Sequence, residues 1–139
     1  MTDTNTPLAM LRTAAAGTLA ERLGIEVLEA GPGRVVARMP VAGNTQPFGR
    51  LHGGASLALA ETVGSFAAVI HAGPGRVPVG TEINGTHHRG AREGYVTATT
   101  SPLHEGRRTA TYEVAIVDDD GRRICTARMS CMFLETAEQ

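Results

Sequence analysis

The chain has 139 residues, 42% of them hydrophobic and 19% charged, which suits one compact domain and excludes a disordered tail or a coiled coil. A net charge of −1 provides no basic field for a polyanion, and the 4% aromatic content argues against stacking of single-stranded nucleic acid. The N-terminus lacks the basic start and apolar block of a signal peptide, and the longest apolar stretch contains Glu61. We therefore expect a cytoplasmic protein that does not span a membrane.

The first quarter of the chain predicts a helix and then a hairpin. Thr6 followed by Pro7 is typical of a helix start, within an N-terminal helical segment over residues 1–24. Two strand-like runs, IEVLEA and RVVARMPV, flank a GPG turn. The polar segment GNTQPFGR is then predicted to be a loop.

The middle of the chain predicts a long buried helix, because residues 53–70 are apolar nearly all round and contain one charged residue, Glu61. About four long strands follow, the last two joined by a DDDG turn, and residues 135–139 are expected to fray. Cys125 and Cys131 fall on the final strand without metal-ligand spacing, so both are predicted to be small, reduced packing residues. The order indicates one α+β domain over residues 1–139, with a helix on an antiparallel sheet. The other face of that sheet, or one edge, should be covered by a second subunit.

The candidate chemistry lies around the start of the central helix. His52, Gly53 and Gly54 stand there, and glycines let a ligand approach backbone N–H groups that attract an anion or a carbonyl oxygen. Glu61 is a carboxylate in an apolar helix, which is costly without a partner or a purpose. Gln46 and Ser65 add hydrogen-bonding groups near the same element.

Gly53 and Glu61 are separated by eight residues, which is roughly 12 Å along a continuous helix. One small reacting group cannot touch both within one chain. If both serve one site, Glu61 of one subunit should face Gly53 of another. The alternatives are that Glu61 pairs with an arginine or faces solvent, that His52 caps the helix, and that Ser65, Gln46 and Gly53 are ordinary helix, loop and packing residues.

The segment QPFGRLHGGASLALAETVGS, from Gln46 to Ser65, resembles the signature of hotdog-fold thioesterases of the PaaI type. That group includes aryl-CoA thioesterases and a proofreading thioesterase of enterobactin synthesis. The resemblance extends over residues 20–134, including GTEINGTHHRGAREG and SPLHEGRRT. It implies a hotdog fold, in which a long central helix packs on a curved antiparallel sheet of about five to six strands.

The resemblance also implies roles for individual residues. Glu61 matches the catalytic carboxylate, the Gly53 N–H matches the group that polarises the thioester carbonyl, and Gln46, His52 and Ser65 match residues around the reacting group. Gly54 belongs to the same glycine pair. Basic residues match positions along the path of coenzyme A in related enzymes: His87, Arg89, His104, Arg107 and Arg108. Ordinary surface charge is the alternative for each of these, and the doubled His87-His88 leaves open which histidine faces the ligand.

The implied activity is hydrolysis of an acyl-CoA thioester, with an aromatic or short to medium acyl group and with Glu61 as general base or nucleophile. No metal or cofactor is implied, since coenzyme A is part of the substrate. The resemblance implies a homodimer, paired into a tetramer, and no nucleic-acid or membrane partner. The alternatives are an acyl-carrier-protein thioesterase, a hydratase on the same scaffold, and a non-catalytic acyl-CoA-binding module. An acyl pocket would draw on Phe48, Leu57, Val63 and Phe66, although core packing explains most of them.

Overall fold

The computed structural model describes residues 4–137 and consists of a six-stranded antiparallel sheet wrapped on one long helix. Residues 1–3 of the N-terminal segment and residues 138–139 of the tail lie outside the described part. The helices are α1 (Pro7–Ala15), α2 (Leu19–Leu23) and α3 (Gly53–Ala72). The strands are β1 (Glu26–Gly31), β2 (Arg34–Pro40), β3 (Arg76–His87), β4 (Tyr95–Glu105), β5 (Thr109–Val117) and β6 (Arg123–Glu135).

The predicted local signals appear at the boundaries of these elements. The Thr6 hydroxyl caps α1 by accepting the Ala9 N–H, and Gly24 ends α2 in the left-handed region with φ of 75°. β6 includes Glu135, which pairs with Arg76, so the last strand extends one residue into the segment expected to fray.

The order of strands in the sheet is β1-β2-β4-β5-β6-β3, which leaves β1 and β3 at the edges. α3 packs across one face, where Leu59, Val63 and three of its alanines meet Met39, Tyr112 and Met129 in a core without solvent exposure. Gly64 lets α3 approach the sheet closely, because a methyl group there would lie 3.0 Å from Cγ of Met129. The hotdog architecture expected from the sequence is confirmed.

The opposite face of the sheet is polar. It presents threonines, serines and charged residues at alternate positions of β4, β5 and β6, such as Thr97, Thr99, Glu113, Thr126 and Arg128. A polar face can remain in water, so this face as a whole does not require a second layer. Of the two possibilities left by the sequence, an edge of the sheet is therefore the better candidate for contact with another subunit.

Two expectations about α3 need correction. Its buried residues form one face only, and Glu61 and Val69 are exposed on the other, so the helix is not buried all round within a single chain. By length and composition alone α3 would also suffice to cross a membrane, despite Glu61. Its packing against the sheet accounts for that apolar character, since the core helix of a globular domain has the same composition.

The two cysteines are free and buried on the inner side of β6. Burial raises the pKa of both thiols, which disfavours the reactive thiolate. Their predicted role as small packing residues is therefore confirmed.

Candidate active site

The N-terminus of α3 offers one backbone donor to a ligand. His52 is the N-cap, and its Nδ1 accepts the Gly54 N–H at 2.8 Å. The N–H groups of Ala55 and Ser56 donate to the His52 carbonyl. Within residues 4–137, the Gly53 N–H has no acceptor, so it is the amide of this first turn that can bind an oxygen atom. His52 therefore caps the helix, which was one of the alternatives left open by the sequence. Because Nδ1 accepts a hydrogen bond, the proton of the neutral ring lies on Nε2.

His87 is the histidine that faces this helix end. Its ring lies so close to Gly53 that a methyl group at Gly53 would come within 2.8 Å of His87 Nε2. His88 points elsewhere, and its Nε2 lies 3.0 Å from the Thr126 hydroxyl. The two rings therefore leave opposite faces of the strand, as the alternation of side chains predicts.

The loop before α3 brings Gln46 to the same end. The Gln46 side-chain Oε1 accepts the N–H groups of Phe48 and Arg50, and the Gln46 N–H donates to the Arg50 carbonyl at 2.7 Å. Leu51 ties the loop to the segment after β3 by donating to the Ala91 carbonyl. Because the loop occupies Oε1, the Gln46 Nε2 donors are the groups that it can offer to a substrate.

Glu61 and Ser65 lie one helical turn apart and line a cavity of about 270 Å³. α1, α2 and the Phe66 side chain form the remaining walls. Among the described residues Glu61 has no hydrogen-bond or ion-pair partner, so an arginine does not neutralise it within the chain. It lies over Gly80 of β3, where a methyl group would come within 2.9 Å of Glu61 Oε1. A glycine inside a strand often marks such a close approach, so this signal could have been read from the sequence.

The candidate residues thus form two groups in one chain. His52, Gly53, Gly54 and His87 meet at the start of α3, and Gln46 lies in the loop that leads into it. Glu61 and Ser65 lie further along the helix. α3 is continuous over its 20 residues, so the separation of roughly 12 Å holds.

The basic residues are also divided between two ends of the sheet. Arg89 follows His87, whereas Arg108 accepts the Phe133 N–H at the other end, where Phe133 pairs with Pro78. His87 and Pro78 are nine residues apart on β3, which corresponds to roughly 30 Å along a strand. His104 and Arg107 lie with Arg108, so one chain does not unite the basic residues along a single path.

Sequence reasoning missed a basic residue at the His87 end. The aliphatic part of the Arg50 side chain packs over Gly90, where a methyl group would come within 2.7 Å of Arg50 Cδ. Arg50 belongs to no motif in the sequence, and only the folded loop brings it to Gly90, the residue after Arg89.

The expected acyl-pocket residues also separate. Val63 is fully buried in the core and Leu57 packs on Gly85 of β3, whereas Phe66 lines the cavity beside Glu61. Phe48 is 79% exposed on the loop. In residues 4–137, no three His, Cys, Asp or Glu side chains lie close enough together to hold a metal ion.

These features place the chain in a known class. The sequence profile of the thioesterase superfamily matches residues 48–125, so the chain belongs to that family. It is 48% identical over 124 residues to the proofreading thioesterase EntH of Cronobacter turicensis, covering 88% of this chain and 90% of that protein.

Solved structures agree with this assignment. The crystal structure of the thioesterase HI1161 of Haemophilus influenzae matches with a TM-score of 0.91 at 36% identity, over 99% of this chain and 96% of that one. The E. coli PaaI protein of the phenylacetic acid degradation operon shares the fold, with a TM-score of 0.80 at 23% identity over 91% of each chain. The protein is thus a hotdog-fold thioesterase of the PaaI type, and hydrolysis of thioesters is its activity.

Proposed function

We propose that the protein hydrolyses acyl-CoA thioesters in a site that two subunits share. The observation that carries this proposal is the Gly53 N–H at the positive end of α3 together with the Glu61 carboxylate, neither of which has a partner among residues 4–137. The N–H would donate to the thioester oxygen and stabilise the negative charge that develops there. Gln46 Nε2 and His87 lie beside the same helix end and are suited to hold the carbonyl and the thioester sulfur.

β3 is the edge at which the two subunits would meet. It is 12 residues long and largely exposed, and its outward Val77 and Val79 are 43% and 37% exposed. β1, the other edge, has only six residues, and Arg12 Nε covers its Val27 carbonyl at 3.0 Å. Each edge strand contains one bulge, so the two edges differ in length and cover. A long uncovered edge is a template for strand pairing, whereas a short covered edge resists it. This contrast supports pairing of β3 with a second copy of itself.

Antiparallel pairing about a two-fold axis would complete the site. Within one chain Glu61 lies at the level of Gly80, and Gly53 lies at the level of His87. An axis near Ile83 and Asn84 would bring Gly80 level with His87 of the partner subunit. Glu61 would then face the N-terminus of the partner's α3, and the Arg107–Arg108 turn would approach the partner's Arg89.

In the chemical step, Glu61 would remove a proton from water, which attacks the thioester carbonyl, and the tetrahedral intermediate would release the CoA thiol and the free acid. Alternatively, the carboxylate would attack directly to give a mixed anhydride that water then hydrolyses. Ser65 lies one turn from Glu61 and could orient water in either route. A single turnover in ¹⁸O-labelled water separates the two. Attack by water on the thioester puts the label in the product acid, whereas hydrolysis of the anhydride at the Glu61 carbonyl puts the label in Glu61 and leaves the acid unlabelled.

A second class of substrate is the alternative to acyl-CoA. The 48% identity to a proofreading thioesterase favours an acyl group on a carrier protein as the second candidate. A thiol-release assay should compare benzoyl-, hydroxybenzoyl-, dihydroxynaphthoyl-, phenylacetyl- and hexanoyl-CoA with the same acyl groups on a carrier protein. Faster release from the CoA esters supports the first candidate. A cytoplasmic location is part of the proposal, since both carriers are made there.

Two such dimers would form a tetramer. Four outward side chains on paired positions of β3 and β6 form an exposed apolar patch on the otherwise polar sheet face: Val77, Val79, Met132 and Leu134. A patch of this kind suits contact between dimers. Sedimentation equilibrium measures the mass, and a Val79→Asp variant should shift it to the dimer.

The role of Glu61 is tested by Glu61→Gln, which keeps the shape of the side chain and removes its charge. We expect kcat to fall by about 10²–10⁴-fold without loss of thermal stability. Glu29→Gln is the matched control, because Glu29 is an exposed carboxylate paired with Arg34 near the distant edge. Unchanged hydrolysis by the Glu61 variant would contradict the proposed mechanism.

Sharing of the site is tested by mixing two impaired variants. In a Glu61→Gln and Gln46→Ala heterodimer, one of the two sites would receive both native residues, so unfolding and refolding the mixture should restore about a quarter of the native activity. A site contained within one chain would give no recovery beyond the sum of the two variants.

A further inference from the structure

The turn between β4 and β5 carries Arg107 and Arg108 and is held by three consecutive carbonyl groups. The Gly106 carbonyl lies 2.7 Å from Nε2 of His71, at the end of α3. The Arg107 carbonyl accepts a hydrogen bond from the Arg76 guanidinium, and the Arg108 carbonyl accepts the Phe133 N–H at 3.0 Å. Three separate elements thus fix the backbone of one short turn.

His71 is itself held by neighbours. Its Nδ1 lies 3.7 Å from the Glu105 carboxylate, which also accepts the Tyr112 hydroxyl at 2.8 Å. Tyr112 is fully buried in the core, so this chain of contacts connects the turn to the rigid part of the sheet. Because a carbonyl only accepts, His71 must carry a proton on Nε2 to bond Gly106.

Arg76 joins the turn to the C-terminus of α3. Its Nε and Nη2 approach the Ala72 carbonyl at 3.4 and 3.3 Å, and its guanidinium lies 4.8 Å from the centre of the Phe133 ring. That ring also contacts His71, with 5.6 Å between the ring centres. A cation at this position offsets the negative end of the helix dipole, which would otherwise repel an anion.

The two arginines of the turn remain available. Within residues 4–137, neither the Arg107 nor the Arg108 guanidinium has a hydrogen-bond or ion-pair partner. Both side chains line a cavity of about 280 Å³ with Arg76, Phe133 and Glu135, so three cations there outweigh one carboxylate. The backbone is therefore immobilised while the charged ends can still bind a ligand. Ordering the backbone before binding reduces the entropy that a ligand must overcome.

We propose that His71 and Arg76 are positioning residues that hold the Arg107–Arg108 turn ready for the phosphate groups of the coenzyme A nucleotide. This inference rests on the proposed acyl-CoA function. The two-fold axis would bring this turn to the end of the sheet where the partner's Gly53 lies. The turn would therefore bind the nucleotide of the substrate whose thioester is held by the partner's Gly53. Neither His71 nor Arg76 needs to touch the reacting atoms.

The first test uses Arg76→Met, which keeps much of the aliphatic stem and removes the guanidinium. Calorimetry should show about tenfold weaker binding of coenzyme A, and KM for a CoA thioester should rise to a similar extent. The kcat/KM for the same acyl group on N-acetylcysteamine, which lacks the nucleotide, should stay unchanged. Arg34→Met is the matched control, since it removes an exposed arginine near the opposite edge.

The second test compares two uncharged replacements of His71. His71→Leu abolishes the donor to Gly106 and should weaken binding of coenzyme A several-fold, whereas His71→Gln retains an N–H donor and should recover part of it. This pair separates positioning from the simple loss of a positive charge. Thermal melting checks that each variant is folded.

Several outcomes would overturn the inference. One is that native affinity for coenzyme A persists in both Arg76→Met and His71→Leu. Another is an equal loss of activity on the nucleotide-free thioester, which would indicate a general structural role. A different result would contradict the proposed function itself: the native protein would release no thiol from any CoA ester and would not bind coenzyme A.

Discussion

The His87 imidazole occupies the space beside Gly53 where a side chain would begin, and the Gly53 N–H has no acceptor in the described part of the chain. A side chain at Gly53 cannot fit without moving that ring, because its Cβ would come within 2.8 Å of Nε2. Glycine is thus needed at position 53 because it lets the His87 ring lie close to the backbone N–H. The backbone conformation there does not itself require glycine. This contact gives the first prediction.

Gly53→Ala keeps the backbone N–H but displaces His87. We expect kcat on a CoA thioester to fall by about 10-fold or more, because misplacing a group at a reacting centre is costly. Steady-state kinetics measures the loss. Gly31→Ala is the control, since no atom lies within 4 Å of a methyl group there. In a His87→Ala background, adding Gly53→Ala should cost much less, and equal losses in both backgrounds would contradict this explanation.

Gly80→Ala tests the contact between β3 and the carboxylate. A methyl group there would lie 2.9 Å from Glu61 Oε1 and would push the side chain away. We expect a drop in kcat of about 10-fold with little change in melting temperature, because the displaced carboxylate is exposed. Native turnover by this variant would show that the position of Glu61 over β3 does not matter.

His52 substitutions separate capping from chemistry. His52→Ala removes the acceptor of the Gly54 N–H and should lower the free energy of unfolding by on the order of 1 kcal/mol. His52→Asn supplies another capping oxygen and should restore stability in urea titrations. If its activity stays low while its stability returns, the ring has a role beyond the cap. Recovery of both would assign His52 to capping alone.

The β5–β6 turn should give an acid-dependent contribution to stability. Burial opposes ionisation of Asp118, but hydrogen bonds from the Arg122 and Asp120 N–H groups and the Arg122 guanidinium outweigh it, so its pKa lies below the ordinary 3.8. Since the folded pKa is lower than the unfolded one, the contribution is complete above pH 3.8 and is lost as pH falls through the folded value.

Asp118→Asn should therefore destabilise the protein at neutral pH and have progressively less effect in acid. Urea unfolding of the native protein and the variant across that range measures the difference. Asp119→Asn is a comparison within the same turn, because among the described residues Asp119 accepts one hydrogen bond, from the Tyr95 N–H at 3.1 Å. A pH-independent difference for Asp118→Asn would contradict this account.

The amino-acid sequence by itself determined the elements, the fold and the candidate residues. Pro7, the GPG and DDDG turns and the alternating strands act through local backbone preferences, which a sequence displays directly. The HGG segment and Glu61 could be recognised as candidates from the sequence, because an apolar helix rarely carries such residues without a structural or functional reason. Their separation followed from the helical rise alone.

Only the tertiary structure decided which groups meet, because contacts between distant segments depend on strand register and on helix rotation. It selected His87 over His88, placed Gly80 beneath Glu61 and exposed that carboxylate on one chain, where the sequence suggested burial. It also moved Arg107 and Arg108 to the end of the sheet opposite Arg89. The three carbonyls of the β4–β5 turn have no sequence signal, since their partners, His71, Arg76 and Phe133, come from three different elements.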